Sequence, residues 1–294
     1  MVKTERKENE PLAMGHYAAL FLDILNQKNK LSSLSMLPAT PADRPAFISA
    51  LKETVGVVNQ YREAFDTYLT QAGKARDDLR RLSPEAYEQF RKTTEIHLKK
   101  VGFSDSILCY APLMEIGDRI PVFGVLHLMY AASGVFLAGL ADGCPCRGGL
   151  EVGVAGTFPE VGFYGPVLYQ AYDLESKVAG YPRIVIGKEF ISYIQSIAAG
   201  PANSPKEVLR CELAKTCVNM IFLDTDGIPC LDYLGKPIRE LMDPEALALD
   251  EVVGFAKAEL ERFRGEGDFK HAERYHRLNL YLDTRIRELW GREL

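Results

Sequence analysis

The chain has 294 residues, 47% of them hydrophobic, with 35 basic and 40 acidic residues and a formal charge of −5. That length suits one large domain or two modest ones. The mild acidity speaks against a nucleic-acid coat and against a polybasic membrane surface, while leaving room for a small anionic ligand held by local donors.

Residues 1–14 open with a charged stretch that has no signal-peptide pattern and read as a short mobile lead-in. The six cysteines (Cys109, Cys144, Cys146, Cys211, Cys217 and Cys230) read accordingly as reduced thiols of a cytoplasmic protein. Cys144-Pro-Cys146 is the one close pair. Without a second pair or a spaced histidine it fits a turn before a strand better than a zinc site.

Residues 16–24 form an apolar run that predicts a buried strand, and Asp23 sits at its end. Residues 25–35, rich in Asn, Gln, Lys and Ser, follow as a short helix or loop. The spacing over 42–72 and 84–100 predicts amphipathic helices, with Ser83-Pro-Glu-Ala as a start signal for the second. Residues 103–111 predict a second strand, with Asp105 at its end. Residues 114–119 read as a turn or hairpin partner.

Residues 120–141 carry no charge and match a membrane span in length. Pro121, His127, the many small residues and the lack of a flanking Lys/Arg cluster argue against insertion. The segment is expected to be a helix buried on most sides, packed on a sheet or at a dimer interface, with its small residues permitting close helix approach.

Residues 150–155 alternate as a strand, 157–165 as loop plus short strand, and 166–179 as a helix with Pro166 in its first turn. A strand over 183–187 and a helix over 188–199 follow. Residues 200–205 are the best linker candidate. Residues 221–234 predict a hairpin turning at Asp226-Gly227, and 245–265 and 268–291 predict charged amphipathic helices. The element order fits a mixed α/β (α+β) protein built on a split βαβ sheet, with helices packed on one face.

A carboxylate at each of two strand ends is a way to hold divalent metal for phosphoryl chemistry; the plainer alternative is two turn residues. The ordered set Phe21-Leu-Asp-Ile-Leu, Phe103-Ser-Asp-Ser-Ile, Arg147-Gly-Gly-Leu-Glu-Val-Gly-Val, Tyr164-Gly-Pro-Val-Leu-Tyr-Gln-Ala-Tyr-Asp-Leu-Glu and Tyr181-Pro-Arg-Ile-Val-Ile resembles the class III nucleotidyl cyclase catalytic domain. It is most similar to the bacterial pyrimidine cyclases of the Pycsar anti-phage system.

The resemblance spans about residues 15–190. It implies a ferredoxin-type catalytic domain over 15–200 and a mostly helical extension over 206–294. It further implies two Mn²⁺ or Mg²⁺ ions on Asp23, Asp105 and the Ile24 carbonyl, and a triphosphate cradled near Asn26, Gln27 and Lys28 at a helix start. The implied activity is conversion of UTP, or secondarily CTP, to the 3′,5′-cyclic monophosphate and pyrophosphate. The implied setting is a homodimer with its active site between chains, whose product acts on a separate effector in antiviral defence.

The chain departs from purine cyclases in three places. Tyr169 and Asp173 stand where an Asn and a transition-state Arg are expected, and Val101 stands where a lysine reads adenine, with Lys100 one residue off and on the opposite face of a strand. Arg147 is the candidate replacement cation, a surface arginine being the alternative. Tyr164 and Tyr169 are candidates for filling space beside a small base, or are packing aromatics. Arg183 suits an ion pair at least as well as substrate contact. The histidines read as structural. A purine cyclase and a degenerate, nucleotide-binding sensor are the competing functions.

Overall fold

A computed structural model describes residues 14–25, 27, 34, 36–38, 40–74, 98–115, 119–242 and 247–291. Residues 1–13, Asn26, Lys28 and, of the helix expected over 84–100, residues 84–97 lie outside the described residues.

Strand β1 (Met14–Ile24) is the centre of the molecule. It pairs antiparallel with β3 (Ser106–Pro112) on one side and with β4 (Cys146–Phe158) on the other. Strand β2 (Lys99–Phe103) is the hairpin partner of β3. The order β2-β3-β1-β4, all antiparallel, is a split βαβ arrangement. The sheet continues from β4 through β6 (Ile184–Ile186), which runs parallel to it, to β8 (Pro229–Leu231) and β7 (Ile221–Leu223), while β5 (Gly162–Tyr164) folds back on the far end of β4.

The second predicted strand differs in form. Residues 103–111 are not one strand: Ser104 and Asp105 make the turn of the β2–β3 hairpin, with Ser104 in the left-handed region at φ 50°. Lys99 and Lys100 belong to β2, not to a preceding helix. Gly102 marks the bend, since the Arg62 guanidinium lies where any side chain would project.

Helices cover both faces of the sheet, which corrects the expectation of one face. On the first face lie α1 (Arg44–Lys74) and α2 (Pro121–Ala141), against Ala18, Leu20, Leu22, Ile107 and Cys109. On the second, α3 (Pro166–Asp173) packs Val167 and Ala171 on Tyr17, Ala19 and Phe21. The strand alternation explains this: every β1 residue from Tyr17 to Leu22 is buried, so both faces need cover.

Of the 21 residues of α2, 19 are buried. Its apolar character is therefore used inside the protein, among α1, the sheet and the C-terminal helices. Gly134 and Gly139 let the Tyr68 ring and the Tyr61 hydroxyl of α1 approach its backbone, and Tyr61 donates to the Cys144 carbonyl. Those contacts give the small residues their expected role.

After β6 come α4 (Lys188–Ala198) and α5 (Pro205–Val218), the latter opened by a Ser204–Glu207 capping box. The turn over 200–205 joins them. Beyond it, β7 and β8 extend the same sheet, and α6 (Lys236–Leu241), α7 (Leu249–Gly265) and α8 (Phe269–Trp290) add to the same core.

Candidate active site

The register of three strands builds the site. Asp23 pairs with Ser106 on β3 and with Arg147 on β4. Directly opposed residues point to the same face, so Ser106, Asp23 and Arg147 form one row across the sheet. Asp105 sits beside the row in the hairpin turn, and its carbonyl accepts from the Ile24 N–H at 3.2 Å. Ser106 Oγ donates to Asp23 Oδ1 at 2.9 Å, and Arg147 Nη2 lies 3.9 Å from Asp23 Oδ2.

A fourth member was missed by sequence reasoning. Glu175 is buried, and its carboxylate accepts from Arg147 Nε. The predicted helix over 166–179 is α-helical only to Asp173; Leu174–Ala179 is π-helical. Such wide turns recur at functional sites. Gly149 on β4 makes room for this segment: a Cβ there would stand 2.6 Å from Leu174 Cβ and 2.9 Å from the Glu175 nitrogen. Glu175 follows Val167 and Ala171 at helical spacing, so a carboxylate on a buried stripe was the available signal.

Burial raises the Asp23 carboxyl above its ordinary range, against the Ser106 hydrogen bond; the Asp105 charge adds to the rise and Arg147 opposes it. Burial likewise raises Glu175, with Arg147 opposing and both aspartates adding. Two carboxylates thus flank the Arg147 guanidinium, and both feel the charge of Asp105. Among the described residues no group of three or more His, Cys, Asp or Glu is placed to hold a metal, and Glu175 is engaged by Arg147. Asp23, Asp105 and the Ile24 carbonyl remain, an all-oxygen set that suits a hard divalent cation. Excess negative charge at the site favours such an ion.

The other candidates fall as follows. Gln27 is buried, its Oε1 has no partner among the described residues, and it lines an open groove of about 390 Å³ with Asn59, Arg62, Ser104 and Asp105. Asn26 and Lys28 lie outside the described residues. Tyr164 and Tyr169 are not brought to Asp23 within one chain. Tyr164 pairs with Gly156 at the far end of β4, nine residues from Arg147, about 30 Å along the strand. The two rings meet edge to face at 6.1 Å and are half exposed.

Lys100 points away from the row, to Asp66 at 2.6 Å and the Arg62 carbonyl, while Val101 packs with the Tyr17–Phe21 side of the sheet. Asp173 is exposed and pairs with Lys177. Arg183 is spent structurally: its five N–H groups meet Asp224, Asp226 twice, and the Ala179 and Val178 carbonyls. Tyr181 also donates to Asp224 and stacks under that guanidinium. The Cys146 thiol is buried, and that burial pushes it up to about 12.

Comparisons of the chain with family models, with curated proteins and with solved structures find no match.

Proposed function

We propose that the protein is a metal-dependent pyrimidine nucleotidyl cyclase, converting UTP, and secondarily CTP, to the 3′,5′-cyclic monophosphate and pyrophosphate. The observation that carries this is the Ser106–Asp23–Arg147 row with Asp105 beside it. It combines two carboxylates for divalent cations with one guanidinium for phosphate.

Asp23, Asp105 and the Ile24 carbonyl would hold Mn²⁺ or Mg²⁺. Bound there, such ions supply acidity to the ribose 3′-hydroxyl and neutralise departing pyrophosphate. Ser106 fixes one oxygen of Asp23. Glu175 takes Arg147 Nε, which orients the guanidinium and leaves its Nη groups for phosphate oxygens. Arg147 thereby serves where Asp173 cannot. Gln27 would help receive the triphosphate, a role that the resemblance extends to Asn26 and Lys28.

Tyr164 and Tyr169 lie at the opposite end of the sheet from Asp23. An antiparallel twofold pair would bring the tyrosines of one chain to the aspartates of the other, so a homodimer supports both half-sites. Large rings beside the base favour a pyrimidine over a purine, and Val101 removes the adenine-reading lysine. The resemblance further implies a cytoplasmic role in antiviral defence, acting through an effector that responds to the cyclic product. A nucleotide-binding sensor is the second reading, favoured by Asp173 at the usual arginine position.

The test is Asp105→Ala. The account expects loss of Mn²⁺-dependent turnover with an unchanged melting temperature. Retained metal-dependent turnover would remove the metal assignment.

A further inference from the structure

A second cavity opens on the other side of Arg147. It measures about 130 Å³, several times what one water needs, and is lined by Leu25, Arg147, Gly180–Pro182, Phe263, His271, Arg274 and Tyr275. Among the described residues no carboxylate lines it, although the chain as a whole is acidic. It shares Arg147 with the candidate active site, and its lining residue Leu25 lies two residues beyond Asp23.

Arg274 is the unusual member. On α7 and α8, Arg262, Arg264, Arg277 and Arg285 each pair with a carboxylate. Arg274 is half-buried and has no ion pair or hydrogen bond among the described residues. His271 is fixed in place: its Nδ1 bonds Asp268 Oδ2 at 2.6 Å and its ring stacks on Phe263. Arg147 commits only Nε to Glu175. Two guanidinium groups therefore face one small cavity, Arg147 with Nη donors beyond its Nε bond to Glu175 and Asp23 Oδ2 at 3.9 Å, and Arg274 with only the through-space charge of Asp268.

We infer that this cavity is a phosphate subsite, in which Arg274 of the C-terminal helix joins Arg147 in binding the terminal phosphates of the substrate and the pyrophosphate product. The inference rests on the proposed role of Arg147 at a nucleotide site, and it gives the C-terminal extension a direct part in binding. Arg is suited to this because its fork meets phosphate oxygens in pairs.

The test is calorimetric binding of inorganic pyrophosphate to the full-length protein, which needs no turnover. Wild type should bind. Arg274→Ala should weaken binding by about tenfold or more, the scale of a charge-assisted pair. Arg287→Ala, an exposed arginine of the same helix, should change it less than about twofold. Arg274→Gln, which keeps most of the aliphatic stem, should match Arg274→Ala and serves if the alanine variant fails to fold.

Equal weakening by Arg274→Ala and Arg287→Ala would reduce the effect to net charge and overturn the inference. So would absence of pyrophosphate binding to wild type. Arg274-dependent binding without cyclic product from any nucleotide would sustain the subsite and sink the cyclase reading. Cyclic product with Arg274-independent binding would do the reverse.

Discussion

Gly149→Ala is the sharpest test of how packing builds the site. A Cβ at this position would stand 2.6 Å from Leu174 Cβ, 2.9 Å from the Glu175 nitrogen and closer still to the Ala171 carbonyl. Ordinary contact begins near 3.4 Å, so the segment must lift by about 0.8 Å or more. Two of the three obstacles are backbone atoms, which no rotamer change relieves. Overpacking of this kind costs roughly 1–3 kcal/mol. For a chain of this size that is a fall of roughly 2–10 °C in melting temperature.

The lifted segment carries Glu175, and Glu175 orients Arg147. A misplacement near 1 Å in a positioning group lowers turnover by about a hundredfold. Thermal melting and nucleotide turnover on the same preparation read both effects. A melting temperature within about a degree of wild type, with unchanged turnover, would refute the claim that Gly149 seats the π-helical segment.

The remaining predictions concern charge and assembly. The folded Asp23 carboxyl is raised, so its contribution to stability is present below the ordinary carboxylate range and lost as pH rises through the folded value. Asp23→Asn should therefore melt above metal-free wild type at pH 7.5, with the gap closing at pH 4.5, and Mn²⁺ should stabilise wild type but not the variant at pH 7.5; equal melting at both pH values would contradict this. Arg183→Ala should destabilise by about 3–5 kcal/mol, because it strands Asp224 in a buried network, yet leave the nucleotide KM unchanged below its melting temperature; a raised KM in a stably folded variant would place Arg183 at the substrate instead. Asp105→Ala mixed with a Tyr164→Ala/Tyr169→Ala double variant should recover about a quarter of wild-type turnover through mixed dimers, although each alone is inactive. No recovery after subunit exchange would tell against a site shared between chains.

The sheet's centre was legible because both faces of β1 are buried, which writes an unbroken apolar run into residues 16–24. The apolar helix was legible by length and lack of charge, and its choice of core over bilayer by His127 and its small residues. The β2–β3 hairpin was not, because Val101 and Phe103 read straight on into Ile107 and Leu108; Gly102 and Ser104-Asp105 were the turn signals. Both aspartates were legible as residue types at strand ends. Their convergence with Arg147 was not, because register between β1 and β4 is set by contacts more than a hundred residues apart. Glu175 escaped because a helical stripe was read as wholly apolar. The partners of Arg183 lie 41 and 43 residues further on, and only the fold joins them.

The most direct measurement is incubation of the purified protein with each of the four ribonucleoside triphosphates and Mn²⁺, with products read by mass spectrometry. The account predicts cyclic UMP, or cyclic CMP, together with pyrophosphate, and neither product without metal. Cyclic AMP or cyclic GMP would contradict the pyrimidine assignment. Nucleotide binding with no product from any of the four would contradict catalysis and leave the Asp23–Asp105–Arg147 cluster as a sensor.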